Sequence, residues 1–243
     1  MISFIKPFNK FEWMIAIRYL RSKRSDGGIS AMTWISLIGI SLAVFALIAT
    51  LAVRSGFRTE FVNTILGANA HASIYNSPYI NNDGVIVSGF SNYDITTNEI
   101  SKIKGVLSVS PVVKGQVMAN ANGQNQGVEV FGSKLSDIKK LPLIATPELS
   151  KGSIENFDKG IAIGSGVARS LGLEIGDVIT LISPDGVKTA FGTSPRISGF
   201  EIVYIFQVGR YDIDNTRIYM PLKNAQIYFN REDRVDEFEV MVN

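Results

Sequence analysis

The sequence predicts an α+β protein in which one N-terminal transmembrane helix precedes a mixed α+β domain of two lobes. Residues 29–53 form a run of 25 residues without a charge, whereas the rest of the chain has ordinary globular composition. In that remainder short strand-like segments dominate and helices are scattered, which is typical of the α+β class. The apolar content of 46% excludes a disordered protein, and the single long apolar run excludes a multi-span transporter core.

The apolar run 29–53 is long enough to cross a bilayer. At about 1.5 Å per residue it spans roughly 37 Å, which exceeds a hydrocarbon core of about 30 Å. A cleaved signal peptide is the alternative interpretation, but its apolar region is shorter and ends at small residues. Here the run begins late and is followed by Arg54 and Arg58.

The charge distribution predicts the orientation of this helix. Residues 1–28 carry a net charge of +4, and residues 29–243 carry −2. Four basic residues flank the N-terminal end of the run (Arg18, Arg21, Lys23 and Arg24), and two flank its C-terminal end (Arg54 and Arg58). The positive-inside rule therefore places the N-terminus in the cytoplasm and the main domain outside it. The charge asymmetry indicates topology rather than a nucleic-acid-binding protein. Within 1–28, Trp13 and Tyr19 alternate with basic residues, which favours a cytoplasmic, interfacial amphipathic segment lying on anionic lipid.

Small residues inside the apolar run recur at spacings of 3, 4, 3 and 4, and they are Ser36, Gly39, Ala43, Ala46 and Thr50. This spacing places them on one face of a helix. Small side chains permit close backbone packing in lipid. We interpret this face as a packing surface for other transmembrane helices or for an inserted lipid chain, although small residues are also common in such helices generally.

Residues 54–67 predict a stalk that continues the membrane helix. Phe57, Phe61 and Ile65 keep a helical apolar spacing, and Gly67 is a suitable residue for the helix end. A continuous helix would transmit motion between compartments.

Residues 68–243 predict the extracytoplasmic domain. Strands are expected near 106–120 and 126–132, joined by an Asn122-Gly123 turn, and near 177–183, followed by a turn at 183–186. Residues of about 70–130 with the C-terminal strand would form one lobe, and residues 150–220 the other.

The sequence lacks the residue patterns of common enzymes. It contains no cysteine and one histidine, His71, for which we expect a structural role. No paired His/Cys spacing predicts a metal, and no phosphate-binding loop predicts ATP hydrolysis by this chain. The Gly164-Ser165-Gly166 turn has Arg169 where a dinucleotide site has its third glycine. We therefore predict no catalytic residues and no cofactor.

One segment, 189–196, is expected to be an exposed loop between two strands. It contains the aromatic ring of Phe191, the basic Arg196, and Gly192 and Pro195, which commonly interrupt regular secondary structure. An apolar ring in an exposed loop suggests contact with a partner. The alternative is that Phe191 folds back onto its own domain.

Four short motifs together resemble the start of LolC/LolE lipoprotein-releasing permeases. They are Arg18-Tyr19-Leu20-Arg21, Trp34-Ile35-Ser36-Leu37-Ile38-Gly39-Ile40, Ser55-Gly56-Phe57-Arg58 and Ile65-Leu66-Gly67. The segment from Gly164 to Asp177 resembles a later signature of the same family and of its MacB/FtsX-like relatives.

The resemblance implies a MacB-like periplasmic core and a subunit of an ATP-driven complex in a Gram-negative inner membrane. Expected partners are a cytoplasmic ABC ATPase, a second permease subunit or copy, lipoprotein substrates, membrane lipid and a LolA-like periplasmic chaperone. In the LolC type a periplasmic hook recruits this chaperone, and residues 189–200, with Phe191, Gly192, Pro195 and Phe200, match the hook loosely. We therefore expect Phe191, Gly192, Pro195 and Arg196 to form a chaperone-contact loop. The match favours a LolC-like or combined role over a LolE-like one.

The resemblance leaves two alternatives open. Family members have four membrane helices, and this sequence ends at Asn243 before a second one, so we expect it to be the N-terminal part of a permease. A MacB/FtsX-like permease with another substrate is one alternative. A single-pass, membrane-anchored binding or sensor protein is the other.

Overall fold

A computed structural model describes residues 10–20, 27–80, 86–189, 192–231 and 233–243. Two compact units divide the chain, residues 1–60 and 61–243. The first unit contains helix α1, Lys10–Leu20, and most of helix α2, Gly27–Ala68. The basic residues of the predicted interfacial segment at positions 6, 21, 23 and 24 lie outside the described residues.

Helix α2 is continuous over 42 residues, which corresponds to about 63 Å of helix. Its segment Ala31–Val62 is long and apolar enough to cross a membrane, and none of the most apolar window is buried within the chain. The predicted membrane helix and the predicted stalk thus lie within one unbroken helix. It ends at Ala68, one residue beyond the predicted Gly67.

The second unit contains eleven described strands and six further described α-helices. The strands are β1 Ala72–Tyr75, β2 Tyr79–Ile80, β3 Ile86–Val87, β4 Val106–Ala121, β5 Gln124–Ser133, β6 Leu149–Gly152, β7 Ile161–Gly164, β8 Val178–Thr189, β9 Gly192–Gln207, β10 Arg217–Pro221 and β11 Glu237–Val242. The helices are α3 Tyr93–Ser101, α4 Leu135–Ile138, α5 Pro142–Ala145, α6 Ser165–Leu171, α7 Tyr211–Thr216 and α8 Leu222–Tyr228, with a 3-10 helix at Ile154–Lys159.

Nine of these strands form one mixed sheet in the order β1-β11-β4-β5-β10-β7-β9-β6, and β8 pairs with both β4 and β9. Strand β10 is parallel to β5, and β7 is parallel to β9, whereas the other pairs are antiparallel. The double pairing of β8 closes β4, β5, β10, β7, β9 and β8 into a circuit. The α+β class is confirmed.

Two apolar clusters cover opposite faces of the sheet because side chains alternate along each strand. Val130, Ile163, Leu181 and Ile218 belong to the first cluster, which also receives the apolar sides of α6 and α8. Phe131, Ala162 and Tyr219 alternate with them and belong to the second, together with residues from α4, α5, α7 and the 3-10 helix.

The structure differs from the sequence prediction in three places. Residues 61–243 form one compact unit, and the two expected lobes share one continuous sheet. The predicted turn at 183–186 is a bulge inside β8, which continues to Thr189. The region 134–159 contains α4, α5, β6 and the 3-10 helix, for which no element was predicted.

The glycines of the Gly164–Asp177 signature have structural roles. A Cβ atom on Gly164 would lie 2.3 Å from the Asp214 carbonyl oxygen, so this glycine permits close packing of α6 against α7. Gly172 ends α6 at a φ of 62°, where glycine is favoured. The Asp177 carboxylate accepts a hydrogen bond of 2.7 Å from the Glu174 N–H and orders the following turn.

We predict that Gly164→Ala destabilises the protein by about 1–3 kcal/mol, because the added methyl group must displace the backbone at Asp214. The control is Gly127→Ala, since a Cβ at Gly127 meets no atom within 4 Å. Thermal unfolding of both purified variants measures the difference. Equal midpoints for the two variants would contradict this account of Gly164.

Candidate functional site

The five predicted packing residues of α2 occupy a narrow face of the helix. At about 100° per residue they fall within roughly 80° of arc. All five side chains are exposed within the chain, and the Thr50 hydroxyl donates a 2.7 Å hydrogen bond to the Ala46 carbonyl oxygen. The only polar group in the C-terminal part of this face is thereby satisfied within the helix, so the face is smooth and compatible with lipid or another helix.

The predicted loop 189–196 is a β-hairpin rather than a long loop. Strand β8 extends to Thr189, and β9 begins at Gly192, which pairs with Thr189. Phe191 lies outside the described residues. Pro195 is exposed, so it is available to a partner. Arg196 is only partly exposed, and its side chain is directed toward α8.

Arg196 anchors the hairpin to the C-terminal end of α8. Its Nη1 donates hydrogen bonds to the carbonyl oxygens of Ile227 and Tyr228, the latter at 3.3 Å. A cation at a helix C-terminus is favourable because it satisfies free carbonyl groups and opposes the helix dipole. Burial raises the pKa of the Tyr228 phenol to about 12, although the charge of Arg196 acts in the opposite direction. Because of its two hydrogen bonds to the end of α8, Arg196 holds the hairpin beside that helix.

An apolar groove begins beside the hairpin and crosses the sheet. Its volume is about 790 Å³, and Pro184, Pro195, Ile182 and Met118 line it together with Gly127. Met118 pairs with Ile182 on one side and with Gly127 on the other, so these residues form one row across three strands. Met118 is 49% exposed. The hairpin and this row together present an accessible apolar surface.

A polar site lies at the C-terminal end of α2, and the sequence did not predict it. The guanidinium of Arg217, at the start of β10, donates to the Ala68 carbonyl oxygen and to Asn69 Oδ1, both at 2.9 Å. It lies 4.5 Å from the centre of the Phe131 ring and 3.2 Å from the Tyr219 hydroxyl. A single arginine between two apolar segments carries no sequence signal, because only the fold brings it to the helix end.

A group of charged residues continues from this site across the sheet. Arg217 is the register partner of Glu129, whose carboxylate lies 3.4 Å from Lys114 Nζ. Lys114 Nζ is also 4.0 Å from Glu237 Oε1, an atom that is buried and accepts no hydrogen bond within the described residues. Burial raises the pKa of the nearby Glu239 carboxyl, and the negative charge of Glu237 adds to this effect.

His71 joins two backbone segments. Its ring Nδ1 lies 2.9 Å from the Val242 carbonyl oxygen, and its backbone N–H donates a hydrogen bond of 3.0 Å to the Val240 carbonyl oxygen. This arrangement agrees with the structural role expected for His71.

Comparison with known proteins gives consistent matches. The family model of the MacB-like periplasmic core domain matches residues 33–243. The lipoprotein-releasing system transmembrane protein LolC of Neisseria meningitidis serogroup B is 31% identical over 227 residues, which cover 92% of this chain and 52% of that protein. LolE of Haemophilus influenzae is 27% identical over 237 residues, covering 95% of this chain and 55% of that protein.

The chain therefore spans about half the length of the curated relatives it matches.

Among solved structures, the periplasmic region of MacB from Actinobacillus actinomycetemcomitans aligns with a TM-score of 0.45 at 10% identity, covering 70% of this chain and 73% of that one. The relatives confirm the resemblance to LolC/LolE permeases that the sequence motifs indicate.

We predict that Glu239→Gln stabilises the protein more at pH 7.5 than at pH 4.5. Because the pKa of Glu239 is raised in the folded state, the folded protein retains this proton more strongly than the unfolded chain. The stabilising contribution of the protonated carboxyl is complete below the ordinary pKa and is lost as pH rises through the raised one. Glutamine stays neutral throughout, so its advantage should grow with pH.

The measurement is the thermal midpoint of wild type and variant at both pH values. Glu148→Gln, at an exposed carboxylate, controls for the loss of one negative charge. A difference between E239Q and wild type that is independent of pH would refute the assignment.

Proposed function

The chain belongs to the family of the MacB-like periplasmic core domain, and we propose that it acts in the transmembrane permease of an ATP-driven lipoprotein-releasing complex. In this role it helps to extract lipoproteins from the inner membrane and to pass them to a periplasmic chaperone. ATP hydrolysis takes place in a separate cytoplasmic chain, and a second permease subunit or copy completes the membrane part. The N-terminus is cytoplasmic, and residues after α2 are periplasmic.

The observation that carries this proposal is the continuity of α2 from its apolar segment to Ala68, shortly before the first strand of the sheet at Ala72. A helix without a break transmits displacement along its axis, whereas a flexible linker absorbs it. Relatives named as lipoprotein-releasing system transmembrane proteins align with at least 90% of the chain, and the family model begins at residue 33, within this helix. Together they favour a permease over a single-pass sensor.

The small-residue face of α2 suits the extraction step. A lipid-anchored protein resists leaving the bilayer by about 0.8 kcal/mol per buried CH₂ group, so its release requires coupled work. Ser36, Gly39, Ala43, Ala46 and Thr50 leave space along α2 in which acyl chains or a neighbouring helix can lie close to the backbone. We assign this face to the lateral path of the lipoprotein.

The β8–β9 hairpin suits the transfer step. It carries Phe191 and the exposed Pro195, it is held at its base by Arg196, and it borders the apolar groove. A chaperone that accepts acyl chains has an apolar surface of its own. The hairpin and the groove are therefore the surface that we assign to chaperone contact, which corresponds to a LolC-like or combined role.

Purification of the complex from native membranes tests the proposal directly. Recovery of an ABC ATPase with this chain, together with ATP-dependent release of lipoproteins from spheroplasts, would support it. An ATPase with no effect on lipoprotein release would favour a MacB/FtsX-like permease for another substrate. Recovery of the chain without an ATPase would favour a membrane-anchored binding or sensor protein.

We predict that Ala46→Trp reduces lipoprotein release at least tenfold, because the indole fills the space on the small-residue face. The measurement is release from spheroplasts that contain the assembled complex. The matched control is Ile48→Trp, which lies about 200° away around the helix. Release by A46W at the wild-type rate would exclude this face from the lipid path.

Membrane insertion of A46W is checked in the same cells. The protein has no native cysteine, so a cysteine at the exposed Ser150 can be labelled selectively. Reaction with an impermeant maleimide from outside reports insertion and orientation together. We expect equal labelling in wild type and in A46W.

We predict that Phe191→Asp weakens binding of the periplasmic chaperone at least tenfold, because a carboxylate replaces an apolar contact. Binding is measured by pull-down with the purified chaperone. Ile95→Asp introduces the same charge at an exposed apolar residue of α3 and should leave binding unchanged. Equal binding by F191D and wild type would remove the hairpin from the chaperone contact.

A further inference from the structure

We propose that Arg217 is the positioning residue that couples α2 to the β-sheet of the periplasmic domain. Its guanidinium holds the last residue of α2, Ala68, and the next residue, Asn69, with two hydrogen bonds of 2.9 Å. The two bonds use different nitrogen atoms, so the planar guanidinium fixes the direction of the helix end as well as its position. This inference rests on the proposed function only for its transport consequence.

The covalent connection alone gives α2 one point of attachment to the sheet. Only Asn69 and Ala70 separate the end of α2 from His71. The backbone N–H of His71 donates a hydrogen bond to the Val240 carbonyl oxygen of β11. So short a connection limits translation of the helix end but leaves rotation about it free. Arg217 supplies a second attachment on a different strand, β10, so the C-terminal end of α2 within residues 61–68 is held at two points.

The sheet in turn holds Arg217 in one orientation. Its guanidinium carbon lies 4.5 Å from the centre of the buried Phe131 ring, and Nη1 contacts the Tyr219 hydroxyl at 3.2 Å. Glu129, its register partner on β5, supplies a carboxylate beside it and is itself 3.4 Å from Lys114 on β4. Contacts with Tyr219 on β10 and Phe131 on β5 therefore support the arginine that holds the helix end, and Lys114 on β4 acts on it only through Glu129.

The charge of Arg217 suits this position. The last carbonyl groups of a helix have no partner within the helix, and the C-terminal end carries a partial negative charge. The Ala68 side chain is completely buried, and its carbonyl group receives a hydrogen bond from a cation. A charged hydrogen bond at this point can carry a pull or a push from the end of α2 into β10.

Spin-label distance measurements on the full chain test the coupling. Because the protein has no cysteine, labels can be introduced at Val62 on α2 and at Gln124 in the β4–β5 hairpin, which are both exposed. We expect a narrow distance distribution in wild type and a broad or double one in Arg217→Met. Arg217→Lys keeps the positive charge but lacks the planar guanidinium with its separate donor nitrogens. It should give a distance distribution of intermediate width.

The matched control is Arg210→Met, since the Arg210 guanidinium contacts the exposed Asp212 in the next helix. R210M should retain the narrow distribution of the wild type. The same distribution in R217M, R217K and wild type would overturn the coupling. If R217M does not fold, R217K alone decides. A distance distribution of R217K as narrow as that of wild type would contradict a role for the guanidinium group.

Transport by the assembled complex tests the consequence. We expect R217M to lower lipoprotein release roughly 2- to 30-fold, the range expected for residues in a coupling network, while ATP hydrolysis and assembly stay within twofold of wild type. Equal losses of release, hydrolysis and assembly would assign Arg217 a purely structural role and overturn the proposal. So would unchanged release in a variant whose distance distribution is broad.

The two readouts separate the failure of this inference from that of the proposed function. A wild-type complex that releases no lipoprotein would refute the proposed function, whereas the distance measurement would still decide on Arg217.

Discussion

The architecture of residues 61–243 depends on the double pairing of β8. Through Met118–Ile182 and Ile182–Ile197 it joins β4 to β9, and it thereby closes six strands into a circuit. Closure gives the sheet an apolar interior and removes the free edges of both strands, which would otherwise invite aggregation. The same pairing brings Pro184 and Pro195 to the groove and Arg196 to the end of α8.

Two surfaces with different chemistry result from this arrangement. The groove beside the hairpin is accessible and mostly apolar, with Met118, Ile182, Pro184 and Pro195 in its lining and Glu129 at the side nearest Arg217 in register. The region around Arg217 is charged and partly buried, and its hydrogen bonds are directed at the chain's own helix. The first surface thus suits exchange with other molecules, and the second suits a fixed internal joint.

The charged residues on the sheet are accommodated at some cost in free energy. Glu237 is buried with one carboxylate oxygen lacking a hydrogen-bond donor within the described residues, and Glu239 beside it has a raised pKa. Burial of charge is unfavourable unless it is paired, and Lys114 and Arg217 provide partial compensation. A domain that only had to be stable would gain from apolar residues here. The retained charges fit a surface whose role includes holding Arg217 in place.

Features that depend on local order along the chain could be predicted from the sequence. The uncharged run 29–53 predicts a long apolar helix, Asn122-Gly123 suits the positive φ angles of a tight hairpin, and Gly172 suits a helix end. Only the tertiary structure decided which strands pair, that the turn expected at 183–186 is a bulge, and that Arg196 holds α8. It also brought Arg217 to Ala68, 149 residues away in sequence. The physical reason is that periodicity and turn chemistry act between neighbouring residues, whereas strand pairing and the placement of a lone cation depend on contacts that no local pattern encodes.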